Sequence, residues 1–176
     1  MVNWDAFIDS IVRASESPAD GQTSDDYVDL LASEYDTAVK TGADVMFRNP
    51  VLSGNIEGLK TGLRAAARIG ENLDSDDLEP IGRAISAALV LYWLGARLAR
   101  TTPPPGSTSI VSNNVLFPGA PPPVQLVPTD DAVAYPTAIK VTSILHFMTI
   151  TGVTIALVPA PPGPPVPTPF PWTGYA

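Results

Sequence analysis

The one histidine of the chain, His146, is the residue type best suited to act as a general base or an imidazole ligand near neutral pH. Ser143 lies three positions earlier, on the same face if the segment is helical, and Asp130 or Asp131 could orient the ring. Together these residue types form the parts list of a nucleophilic triad. A triad, however, needs its members to converge from suitable places, and a serine on the same plain helix face as its base is poorly aimed for attack. No nucleophile-elbow pattern surrounds Ser143. The pattern therefore predicts a packed or interfacial histidine, no catalytic residues and no enzyme.

The acidic run Asp74, Asp76, Asp77 and Glu79 has the oxygen ligands that calcium prefers. It lacks the turn glycine and the distal bidentate glutamate of an EF-hand loop, and reads instead as negative charge at a helix entrance. The glycine spacing in Gly58-Leu59-Lys60-Thr61-Gly62 falls outside the full phosphate-loop sequence and points to close helix packing. Tyr92-Trp93 reads as core aromatics in preference to a ligand pocket. With no cysteine in the chain, thiolate metal sites, disulfides and thiol nucleophiles are all excluded. The expectation is no cofactor and no metal.

The elements that would position these groups follow from periodicity. Trp4, Phe7, Ile8, Ile11 and Val12 repeat at helical spacing behind Asn3, a good N-cap. Ser17-Pro18-Ala19-Asp20-Gly21 breaks that helix, and Thr23 or Ser24 caps a second one carrying Tyr27, Leu30, Leu31, Tyr35, Ala38 and Val39 on one stripe as far as Gly42. Ile56, Leu59, Leu63, Ala66 and Ala67 describe a third helix ending near Gly70. A fourth enters through residues 74–80 and is expected to reach about Arg100. Its stretch from residue 84 to 96 holds no charge, which marks the centre of a bundle; bounded by Arg83 and Arg97, it is too short for a membrane span.

At Thr101 the composition changes. Seventeen of the twenty prolines lie beyond residue 100, and residues 101–176 carry one Lys and two Asp against nine Lys/Arg and sixteen Asp/Glu before them. Residues 109–117 have the β-branched content of a strand, a helix is expected from about Tyr135, and residues 153–158 read as a second strand stopped by Pro159. Residues 159–171 hold eight prolines in thirteen positions, a composition that reads as an extended, flexible tail. The predicted fold is α+β and mainly α. It comprises an N-terminal bundle of about four helices over residues 1–100, then a Pro-rich arm over 101–176 with short strands, one further helix and an extended tail.

Net charge of −8 without a basic stripe removes the counterion-release term that drives nucleic-acid binding, so no direct nucleic-acid or membrane partner is expected. A stiff proline chain loses little entropy on docking. Pro161, Pro162, Pro164 and Pro165, with Phe170, Trp172 and Tyr175 as aromatic anchors, are accordingly the expected partner-binding residues.

The order Tyr35-Asp36-Thr37-Ala38-Val39-Lys40-Thr41-Gly42, Asn49-Pro50-Val51-Leu52-Ser53-Gly54-Asn55, Tyr92-Trp93-Leu94-Gly95-Ala96 and Pro104-Pro105-Gly106 resembles virion structural proteins of tailed bacteriophages and other large DNA viruses. The resemblance implies a small non-enzymatic subunit present in many copies in a tail, neck, baseplate or capsid. Such a subunit would be made in the host cytoplasm, with an arm laid across other copies of itself and other structural proteins. The alternative is a cellular adaptor whose proline tail recruits a proline-reading module.

Overall fold

Each of the first three helices starts at a side chain that satisfies an otherwise orphaned amide. The computed structural model describes residues 1–18, 20–72 and 77–176, so Asp74, Asp76 and part of the 17–21 turn lie outside the described residues. Asn3 Oδ1 accepts the Ala6 N–H at the head of α1 (Trp4–Glu16). Thr23 and Asp26 form a reciprocal capping box on α2 (Ser24–Lys40), and the Thr23 hydrogen bonds hold the Asp26 carboxyl below its ordinary range. Asn55 Oδ1 accepts the Gly58 N–H opening α3 (Ile56–Glu71). In α4 (Glu79–Trp93) Pro80 occupies the first turn instead, where its missing donor costs nothing.

α3 and α4 pack backbone to backbone, because a Cβ on Gly62 would lie 2.5 Å from the Ala88 Cβ. α4 stops at Trp93, short of Arg100. Gly95 turns the chain with φ +77°, and residues 97–98 become a strand.

The structure overturns the predicted bundle with an appended arm. The described residues form five helices and a five-stranded antiparallel sheet: β1 (Val51–Ser53), β2 (Arg97–Leu98), β3 (Ser109–Phe117), α5 (Ala134–Phe147), β4 (Thr151–Ala160) and β5 (Gly163–Thr173) complete the order. The strands lie side by side in chain order, β1 to β5, with α3 and α4 inserted between the first two and α5 between the third and fourth. The composition break at Thr101 falls between β2 and β3, which are neighbours in this sheet (Arg97 opposite Asn114).

The segment expected to be a flexible tail is the edge strand β5. It pairs with β4 from Thr151 opposite Thr173 to Ala160 opposite Gly163. Prolines 167, 169 and 171 sit opposite Leu157, Ile155 and Val153, and Thr168, Phe170 and Trp172 sit opposite Ala156, Thr154 and Gly152. Along an antiparallel strand successive residues turn their N–H and C=O alternately toward the neighbour and away. A proline is therefore harmless where its nitrogen faces away, provided nothing lies on that side. β5 is the last strand, and its prolines 165, 167, 169 and 171 occupy every second position, with Pro164 at the exposed tip the one out of phase. Pro159 in β4 is tolerated for a related reason, since the register shifts between Val158 and Ala160 and such an irregularity frees one residue from the ladder.

The same alternation turns Trp172 inward. Asn113 Oδ1 accepts the Trp172 Nε1–H at 3.0 Å and the Thr154 hydroxyl at 3.1 Å, while its Nδ2 donates to the Ala99 carbonyl. This buried bond set ties β3, β4 and β5 together. Beneath it an aromatic cluster joins α1, α4, α5 and the residues after β5: Trp4 stacks on Phe147 at 5.8 Å, and Trp93 meets Phe147 at 5.3 Å and Tyr175 at 5.0 Å. Such ring pairs contribute about 1 kcal/mol each beyond the area they bury.

Candidate functional site

α5 carries one lysine and no charged face, and only part of it is covered. Ile139, Phe147, Thr142, Ser143 and His146 are buried against the rest of the molecule. On the other side Val141, Ile144, Leu145 and Met148 follow the spacing i, i+3, i+4, i+7 and are 52, 43, 47 and 67% exposed. A helix with no charged face is normally covered on every side. Lys140, the one charged residue of this helix, lies 3.7 Å from the Asp5 carboxylate.

Beside this stripe the surface dips into a groove of about 560 Å³. Its floor is Trp4, Phe147 and Tyr175, and its walls include Val45, Ile144 and Met148. Backbone pairing holds the walls: Ala43 and Ala176 exchange hydrogen bonds at 2.8 and 2.9 Å, and the Val45 N–H reaches the Gly174 carbonyl. The loop carrying Val45 is pinned by Asp44, fully buried, whose carboxylate accepts the Phe47 and Asn49 amides.

At the far end of β4 and β5 is a second exposed apolar feature. Pairing of β3 with β4 reaches only as far as Ser109 opposite Leu157, so residues 158–166 continue as a two-stranded tip. Residues 161–167 of this tip are exposed, and Val166 retains half its surface. The Pro161–Pro162 peptide bond in its turn is cis.

These placements divide the expected partner-binding residues. Pro161, Pro162, Pro164 and Pro165 are solvent-facing on the tip. Phe170 is half-buried, edge-on to Phe47 at 6.4 Å. Trp172 and Tyr175 have another role: they retain 1 and 4% of their surface because they close the core of their own chain. Tyr175 Oη donates to the Val39 carbonyl and accepts the Val51 N–H, and burial pushes its hydroxyl pKa up. Sequence reasoning passed over the α5 stripe, although the apolar residues at 141, 144, 145 and 148 were the signal for it.

The triad candidates do not converge. His146 Nε2 lies 2.6 Å from the Pro118 carbonyl; a carbonyl can only accept, so this nitrogen carries the proton and Nδ1 is bare. Burial pushes the His146 pKa down to about 4, partly offset by the Pro118 bond. The Asp131 carboxylate caps the Val133 amide. Ser143 Oγ, Trp93 Nε1 and Tyr35 Oη face one another in the core without closing a hydrogen bond of normal geometry, and burial raises the Tyr35 hydroxyl to about 12. Tyr92 and Trp93 are both fully buried, Tyr92 Oη donating to Asp36 at 2.8 Å.

Among the described residues no group of three or more His, Asp or Glu side chains could hold a metal ion, and no helix is long and apolar enough to cross a membrane. Comparison of the chain with protein-family models, curated proteins and solved structures gives no match.

Proposed function

We propose that this chain is a non-enzymatic structural subunit of a multi-copy assembly and, within that class, a virion component of a tail, neck, baseplate or capsid. The observation that carries the reading is the uncovered apolar side of α5. Val141, Ile144, Leu145 and Met148 each keep about half their surface in water or more, and covering the remainder would contribute about 1 kcal/mol per side chain. With Lys140 already beside Asp5, this face offers a neighbour apolar area and little charge to desolvate. The viral placement rests on the sequence resemblance alone.

The adaptor reading finds less support. A proline-reading module needs a free polyproline ligand, whereas prolines 164, 165, 167, 169 and 171 lie within β5.

Light scattering of the purified chain at rising concentration tests the proposal. The expected result is a species heavier than one chain, reduced to single chains by Leu145→Glu. A wild-type chain that stays monomeric at every concentration overturns it.

A further inference from the structure

We infer that the groove beside α5 receives the β4–β5 tip of a second copy of this chain, so that subunits join head to tail. The inference rests on the assembly reading and names the partner of that same site.

The groove sets conditions on its occupant. It is lined chiefly by apolar side chains, and its two charged side chains, Lys140 and Asp5, lie 3.7 Å apart. An entering segment must therefore be apolar and uncharged. It must also bring few backbone N–H groups, because each one buried without an acceptor is costly.

The tip meets all three conditions. Residues 158–167 contain no charged side chain, and six of the nine residues from 159 to 167 are prolines, which have no amide hydrogen to strand. The tip is also held as a hairpin before any contact is made, so docking it orders little new chain.

The occupant must come from another molecule. The groove borders the residues where β4 begins and β5 ends, Met148 and Gly174 among them, and the tip is at the opposite end of the ribbon. β4 is ten residues long, about 30 Å at the usual rise per residue. One chain thus carries a knob and a socket at the two ends of a stiff strand pair and cannot join them itself. Repetition of a contact between two different surfaces closes into a ring or extends as a filament. Sheet extension is a poor competing route, because the outward nitrogens of β5 belong to prolines 167, 169 and 171.

The test uses the full chain in two variant forms, Val166→Asp on the tip and Met148→Asp in the groove. Pro164→Asp and Val45→Asp replace them should either fail to fold by circular dichroism. Each variant alone is expected to need at least about tenfold more protein to assemble than wild type, the change that 1.4 kcal/mol of lost contact produces. An equimolar mixture is expected to give a 1:1 pair and nothing longer, since one intact tip and one intact groove remain. Because the chain has no cysteine, Val166→Cys and Met148→Cys chains mixed under oxidising conditions should cross-link to each other.

Failure of the mixture to pair, or wild-type assembly by the tip variants, overturns the inference. If the tip variants assemble while the groove variants do not, the α5 faces pair with each other and the assembly reading stands. A wild-type monomer defeats both.

Discussion

Replacing His146 with glutamine is expected to flatten the loss of stability that the wild-type protein suffers in mild acid. The imidazole is fully buried and its pKa is held down to about 4, chiefly by burial, against 6.5 when unfolded. The lowered folded-state value fixes the sign: between these two values the unfolded chain binds a proton that the folded chain refuses, so stability falls as pH falls. Above pH 6.5 both states are neutral and the residue contributes no pH dependence. The 2.5-unit gap makes the loss about 2 kcal/mol at pH 5 and about 3 kcal/mol at pH 4. Glutamine carries an amide donor for the Pro118 carbonyl but does not titrate. Urea unfolding followed by tryptophan fluorescence at pH 7, 6, 5 and 4, wild type against His146→Gln, measures the difference. Carboxylates titrate in both proteins and cancel in the comparison. Parallel curves across this range would refute the assignment of a buried, neutral, Nε2-protonated imidazole.

Two further outcomes follow from the sheet. Gly152→Ala should cost about 2 kcal/mol in a urea melt, because the added methyl would overlap the Trp172 indole and press on its bond to Asn113; an unchanged midpoint would show that the ring can move aside. Replacing prolines 167, 169 and 171 together by threonine should leave the fold intact but restore outward amides on β5, and light scattering should then show open-ended, concentration-dependent aggregation. If that triple variant behaves as wild type, the prolines do not guard the edge.

Much of the helical half was legible because caps and apolar spacing are local signals. Asn3 and Thr23 mark helix starts that depend on little beyond the next turn. The strands β1 and β2 were not legible: three and two residues are too few to show a period, and their pairing joins Val51 to Leu98 and Ser53 to Arg97, far apart in the chain. α4 was read too long because its apolar run continues past the turn at Gly95.

β5 was misread for a more instructive reason. Eight prolines in thirteen positions read as an extended tail, yet Val166-Pro167-Thr168-Pro169-Phe170-Pro171-Trp172 is a strict two-residue alternation, the period of a strand. Only the knowledge that it is an edge, a property of the whole sheet, makes those prolines compatible with it. The uncovered stripe on α5 was hidden differently. Because the side its own chain covers carries Thr142, Ser143 and His146 beside Ile139 and Phe147, periodicity could not say which side that would be.

The position of β5 also bears on how the molecule is made. Among the described residues the five helices precede it, while Trp172 and Tyr175, which complete the core around Asn113 and Trp93, are made after all of them. A nascent chain still lacking them presents β4 as an open template and the Trp93–Phe147 surface as bare hydrocarbon. At ordinary translation rates of about 5–20 residues per second that exposure lasts on the order of a second during synthesis, ample time for a ribosome-bound chaperone to engage it.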